Sequence, residues 1–118
     1  MNEALASETM EDCVFCKIRD KTVPKEFTYE DKNIMVFPDI HPVAPIHLLI
    51  MPKEHIKDFL ELTELGLLEQ LKKATHKMIR EYKIEDKGYR IVVNGGGAQV
   101  IDHLHIHLMG AIGKKVKL

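Results

Sequence analysis

The chain has no tryptophan, and phenylalanine and tyrosine make up only 6% of its 118 residues. A platform that stacks single-stranded bases needs aromatic faces in number, so the composition argues against that class. No charge excess exists either: 17 Lys+Arg stand against 18 Asp+Glu, a net charge of -1. Nothing in that balance provides a bulk surface for nucleic acid or for an anionic membrane. Apolar runs stop short of the ~18 residues of a membrane span, and the acidic start is unlike a signal peptide. The expectation is an intracellular, cytoplasmic protein with neither nucleic acid nor membrane as partner. Cysteine is scarce. Cys13 and Cys16 are the whole complement, too few for a disulfide framework and better suited to half of a metal site. No internal repeat is present. The length suits one domain with one core, expected over residues 13–118 behind a polar, mobile tail at 1–12.

Against this plain background one stretch is unusual: His103-Leu104-His105-Ile106-His107-Leu108-Met109. Strand side chains alternate between two faces, which would set the three histidines in one row at ~7 Å intervals. Leu104, Ile106 and Leu108 form the opposite, core-facing row. A helix would scatter the imidazoles, so the pattern predicts a strand. Three neighbouring imidazoles resist being charged together. At least one is therefore expected to be neutral, able to act as a nucleophile or a metal ligand.

The rest of the chain predicts an α+β fold. Cys13-Val14-Phe15-Cys16-Lys17-Ile18 reads as a compact knuckle or short helical turn. Strands are expected at 25–30 and 33–37, joined by hairpin chemistry at Glu30-Asp31-Lys32-Asn33. Three prolines between 38 and 45 stiffen a loop and keep it out of a ladder. His47-Leu48-Leu49-Ile50-Met51 reads as a short apolar strand ending at Pro52. Thr63 is the expected cap of a long helix through about Tyr82, with Leu65, Leu68, Leu71, Thr75, Met78, Ile79 and Tyr82 on its apolar face. A strand at 89–93, the loop Asn94-Gly95-Gly96-Gly97-Ala98 and the histidine strand complete it. Short connections imply a five-stranded antiparallel sheet, with the long helix on one face and the histidines on the other.

Two constellations carry chemistry. An imidazole can attack an electrophilic phosphorus, given a hydrogen bond on its other nitrogen to fix the tautomer and donors for the phosphoryl oxygens. His47, His107 and Asn94 are candidates for those contacts, and the glycines at 95–97 would let backbone N–H groups approach a phosphate. The glycine run lacks the Lys and Ser/Thr of a P-loop, which argues against an ATPase. The second constellation is Cys13-x-x-Cys16, which with two imidazoles would complete a tetrahedral zinc site. A redox pair would want a βαβ context, and two unlinked buried thiols are the plain alternative. Spacing does not say which histidines would join the cysteines.

The run HLHIHLM resembles the signature of the histidine triad (HIT) superfamily. The likeness extends through Cys-Val-Phe-Cys-Lys-Ile, Asp39-Ile40 with Ala44-Pro45-Ile46-His47, Met51-Pro52-Lys53-Glu54-His55-Ile56 and Gly88-Tyr89-Arg90-Ile91-Val92-Val93-Asn94. It covers roughly residues 13–110 and is closest to small nucleotide-binding proteins that hydrolyse nucleoside phosphoramidates. The resemblance implies a role for each matching residue. By it, His105 would be the nucleophile that takes up a purine nucleoside monophosphate, with no cofactor needed for the chemistry. His107 would contact the α-phosphate, and His47 and His103 would belong to the same catalytic group. Asp39 would hold the ribose hydroxyls, with Ile40, Phe37, Val23 and Phe15 around base and sugar. Asn94, Gly97, Ala98, Gln99 and Val100 would line the phosphate pocket. A structural zinc would be held by Cys13, Cys16, His55 and His103, and the chain would form a homodimer with a continuous ten-stranded sheet. The chain departs from the family pattern at Ala98-Gln99-Val100, where Gly-Gln-Ser/Thr is usual. Val100 has no hydroxyl to offer a leaving group, so the expectation is slow turnover, or proton transfer through His47 or water.

Overall fold

A computed structural model describes residues 12–114. The expected tail at 1–12 lies outside that range except for Asp12, and so does the end of the chain beyond 114. A short helix, α1 (Val14–Arg19), is followed by strands β1 (Tyr29–Glu30), β2 (Ile34–Pro38) and β3 (Ile46–Pro52). A 3-10 turn (Phe59–Glu61), the long helix α2 (Leu65–Glu81) and strands β4 (Tyr89–Val93) and β5 (Ile106–Gly110) complete the order. The five strands form one antiparallel sheet in the order β1-β2-β3-β5-β4. The fold class is therefore α+β, as the element pattern predicts. Among the described residues, no helix is long and apolar enough to cross a membrane.

The sequences of β2 and β3 explain where the site lies. Both are nearly continuous apolar runs, Ile-Met-Val-Phe and Leu-Leu-Ile-Met, and both are buried throughout those runs. A strand buried on both faces needs cover on both. Ile34, Val36, Leu48 and Ile50 face α2 and share a core with Leu71, Met78, Leu104 and Leu108. Met35, Phe37, Leu49 and Met51 project the other way, onto Cys13, Phe15, Cys16 and Ile18 of the α1 region. The second face is thus not simply a row of histidines. It is partly covered by α1, with His103 and His105 buried against Phe15 of that helix and His107 half-buried.

Four expectations need correction. The first strand is two residues long rather than spanning 25–30. Only the Thr28 N–H extends the ladder, to the Val36 carbonyl, while Phe27 leaves it to pack on Phe37 at 6.1 Å. The cap of α2 is Glu64, with no side-chain hydrogen bond, instead of Thr63. The buried stripe of α2 runs through Leu67, Leu71, Ala74, Thr75, Met78 and Ile79, and Leu65 is 80% exposed, with Leu68 and Tyr82 also outside. A stripe centred on Leu67 keeps the period but rotates the face. Finally, β5 starts only at Ile106, opposite Ile50. Ahead of it, the Leu104 N–H donates to the Ile56 carbonyl and the His103 N–H to the Ile101 carbonyl. The connector after Pro52 takes the place that β3 would have filled. The alternation of sides survives without the ladder: Leu104 and Leu108 enter the α2 core, and the three imidazoles lie off it.

Candidate active site and metal centre

The site forms where the lead into β5 passes under α1. His105 is buried, and Phe15 of α1 meets its ring edge-on at 5.1 Å. Its Nδ1 lies 2.7 Å from the His103 carbonyl oxygen. A carbonyl only accepts, so the proton is on Nδ1 and the lone pair on Nε2. Burial is the chief influence on this ring and lowers its pKa, against smaller opposing effects of the His103 carbonyl and Asp39. A neutral imidazole with one committed tautomer is what nucleophilic attack requires.

A second tautomer chain reaches His107. The Val43 N–H donates to His47 Nδ1 at 3.1 Å, which places the His47 proton on Nε2. That nitrogen lies 3.0 Å from His107 Nδ1 and 3.4 Å from Asp39 Oδ2. His47 therefore donates toward His107 Nδ1, and the His107 proton sits on Nε2. Burial, followed by the neighbouring His105 and His47, lowers the pKa of His107. The rigid turn carrying Val43 between Pro42 and Pro45 is what starts this chain.

Asp39, His47 and His107 are also close enough together to suggest a metal site. The Val43 contact argues against it. Ligation through His47 Nε2 would put the proton on Nδ1, against the amide N–H that already points there.

His105 and His107 open into a cavity of about 400 Å³. Its walls include Phe15, Phe37, Asp39, Ile40, Asn94 and Val100 among the residues expected there. Val14, Ile18, Lys25, His41, Leu49 and Ile101 line it too and carried no signal in the sequence, except that Leu49 shares a β3 face with His47. Val23 is not part of the wall; it packs on the α1 core cluster. Val100 is 96% exposed at the rim.

The glycine loop corrects an expectation. Gly96 and Gly97 do need their positive φ values, 65° and 95°. Their amides, however, are engaged within the protein. The Gly96 N–H donates to Asp58 Oδ2 at 3.0 Å and the Gly97 N–H to Gln99 Oε1 at 3.1 Å. The Ala98 N–H donates to the Gly95 carbonyl, and buried Gln99 donates its Nε2–H to the Lys57 carbonyl. Gly97, Ala98 and Gln99 therefore brace the loop against the connector and do not line the cavity. Among the lining side chains, Asn94 and His107 Nε2–H are the donors beside His105.

His103 also differs from expectation. It is fully buried and lines no part of the cavity, so its side chain is not among the catalytic groups; its carbonyl orients His105. Its ring faces the opposite way. Nδ1 lies 3.4 Å from Cys13 Sγ and 3.6 Å from Cys16 Sγ, and Cys16 Sγ lies 3.2 Å from His55 Nδ1. Ligand atoms around a tetrahedral zinc are separated by about 3.3–3.8 Å, given the usual bond lengths. His103 Nε2 donates to the Pro52 carbonyl at 2.8 Å, which leaves the Nδ1 lone pair facing the sulfurs. A carbonyl holding the far nitrogen is the usual outer support of a metal-binding histidine. Cys13, Cys16, His55 and His103 thus form a set able to hold a zinc-like ion. Burial, the largest influence on Cys13, pushes its thiol up to about 12; a dication against the sulfur acts in the opposite direction.

Comparison with known proteins identifies the fold and the family. A family model described as "Scavenger mRNA decapping enzyme C-term binding" matches residues 12–117. An uncharacterized HIT-like protein of Chlamydia trachomatis is 44% identical over 107 residues, covering 82% of this chain and 90% of its own. Protein HitA of Neisseria gonorrhoeae is 36% identical over 105 residues, with 86% and 97% covered. The solved structure of a HIT family hydrolase from Clostridium thermocellum superimposes with a TM-score of 0.86 at 40% identity, covering 93% of this chain and 99% of that one. A histidine triad protein from Clostridium difficile gives 0.81 at 33% identity, with 95% and 98% covered.

Proposed function

Because this chain belongs to the HIT superfamily and shares the fold of HIT family hydrolases, we propose that it hydrolyses nucleoside 5′-monophosphate amides and esters. The observation that carries the reading is the hydrogen bond from His105 Nδ1 to the His103 carbonyl, which aims a free Nε2 lone pair into a cavity of nucleotide size. In the first step Nε2 attacks the α-phosphorus, a bond from nitrogen to phosphorus forms, and the bond to the leaving amine or alcohol breaks. The leaving group takes its proton from water, since Val100 offers none. In the second step water adds to phosphorus, its proton passes to solvent, and the bond to Nε2 breaks. A nucleoside monophosphate leaves and His105 is neutral again.

Each neighbour has a part. The intermediate is a cationic imidazolium, because Nδ1 keeps its proton; the His103 carbonyl is placed to stabilise it. His107 Nε2–H and Asn94, both in the cavity wall, would hold the phosphoryl oxygens as charge builds on them. Asp39 has its Oδ1 on the His41 N–H at 2.9 Å and lone pairs left for ribose hydroxyls. Cys13, Cys16, His55 and His103 would hold a structural zinc, which would brace the lead into β5 and take no part in the chemistry.

Incubation with adenosine or guanosine 5′-phosphoramidate should release the nucleoside monophosphate. A second reading, a zinc-braced nucleotide-binding adaptor with little turnover, is favoured by the missing hydroxyl at Val100. Monophosphate binding with no hydrolysis of any phosphoramidate would establish the adaptor reading in place of the enzyme.

The proposal extends to a homodimer. β4 is an edge strand, and Tyr89 and Ile91 on it are exposed. An exposed edge of this kind invites pairing with another strand. Pairing of two β4 edges would join two sheets of five strands. Sedimentation should give twice the 13.5 kDa chain mass, and Ile91→Lys should return it to the single value; a monomeric parent chain would remove the dimer from the reading.

A further inference from the structure

The cavity wall holds a lysine that the proposed chemistry does not use. Among the described residues, Lys25 is the single lysine or arginine in its wall, and within that same range it forms no ion pair. Its ammonium instead lies 5.2 Å from the centre of the Phe37 ring.

Strand register says where along the cavity that ammonium sits. His107 of β5 is paired with Leu49 of β3, and Leu49 with Phe37 of β2. Paired residues share a face, and all three line the cavity. Neighbouring strands are about 4.8 Å apart, so the floor from His107 to Phe37 is about 10 Å long. Thr28 N–H bonds to Val36 on the outer edge of β2, the side away from β3. The segment carrying Lys25 leads into that edge. Lys25 therefore closes the end of the cavity furthest from His105 and His107.

A nucleotide with its phosphorus beside His105 would run along this floor. Its ribose would pass Asp39 and its base would rest on Phe37. The part of a purine furthest from the sugar is the ring carrying the substituent at position 6. Guanine and hypoxanthine present an oxygen there, which accepts. Adenine presents an amino group, which donates. A lysine ammonium has three donors and no acceptor.

We propose that Lys25 makes this site selective for 6-oxopurine nucleotides, by donating from its ammonium to the oxygen at the far edge of the base. This rests on the nucleotide reading above and specifies the substrate class. At position 6 the ammonium meets acceptor with donor for guanine and hypoxanthine, and donor with donor for adenine, whose acceptor on that edge is N1, set back in the ring, and not a projecting oxygen. A charged hydrogen bond at a half-buried position is worth roughly tenfold in affinity.

Inosine and adenosine monophosphates differ only along that edge, in the substituent at position 6 and in the proton that N1 carries in hypoxanthine and lacks in adenine, so they are the probes. Binding of each is measured by calorimetry to the parent chain, to Lys25→Met, which keeps an apolar stem, and to Lys25→Arg, which keeps a donor. The parent should bind inosine monophosphate roughly tenfold more tightly than adenosine monophosphate. Lys25→Met should bring the ratio close to one by weakening inosine monophosphate alone, and Lys25→Arg should retain a preference. Equal binding of the two by the parent, or a ratio unchanged in Lys25→Met, overturns the assignment and leaves the nucleotide reading standing. Failure of the parent to bind either monophosphate overturns both.

Discussion

His105→Ala should lower phosphoramidate hydrolysis by at least roughly a thousandfold, as loss of an activated nucleophile does, and should abolish the covalent adduct. Intact-protein mass after brief mixing with adenosine 5′-phosphoramidate reads the adduct directly. The parent chain should gain one adenylyl group and the variant none. Binding of the product monophosphate should change little, because His105 is one of several lining residues. The size of the expected loss comes from the local geometry. The ring is clamped edge-on by Phe15 and held by the His103 carbonyl at 2.7 Å, and the neighbouring His107, whose Nδ1 accepts from His47, carries its proton on Nε2. His47 spends both nitrogens in the chain from Val43 to His107, and His103 faces the cysteines. An unchanged hydrolytic rate in His105→Ala would mean that the attack is made by some other group, water included, and the covalent mechanism would be wrong.

Removal of zinc should destabilise the chain by a comparably large step. An ion bound at a thousand times its dissociation constant stabilises by about 4 kcal/mol, roughly 15 °C in melting temperature for a domain of this size. The chain should contain one zinc per molecule, a strong chelator should lower the melting temperature by that order, and Cys13→Ser should lose the metal. The coupling to the site is structural. The proposed ligands come from three separate stretches, the start of α1, the connector at His55 and the lead into β5 at His103, and they meet within 4.8 Å. His103 is two residues from His105, and His55 is two from Lys57, whose carbonyl anchors Gln99. Loosening the cluster would disturb the imidazole and the glycine loop together. A melting temperature unmoved by chelation would argue against an occupied site. Metal retained in Cys13→Ser would shift attention to the histidine row itself.

Much of this is legible in the sequence alone. The spacing of His103, His105 and His107 among aliphatic residues determined that the imidazoles would lie away from the core that Leu104 and Leu108 enter, because alternation is a property of extended chain. Apolar runs, the helical period and short connections determined the α+β class. Cys13-x-x-Cys16 pointed to a metal half-site through thiolate chemistry alone.

Only the tertiary structure decided what each histidine meets. A tautomer depends on whether the far nitrogen meets a carbonyl or an N–H, and residue pattern shows neither: His103 meets the Pro52 carbonyl, 51 positions away, and His47 meets the Val43 N–H only because the turn between Pro42 and Pro45 folds it back. The glycine loop shows the same limit. Its sequence promised free amides for a phosphate, and Asp58 and Gln99 take them, because Asp58 lies 38 positions away in sequence from the Gly96 amide it accepts. Lys25 was invisible for the same reason. A lone lysine beside a proline is an ordinary surface residue until the register of β2, β3 and β5 places it at the end of the cavity. Local pattern determines which face a side chain takes; long-range pairing, to which local pattern is blind, decides what it meets there.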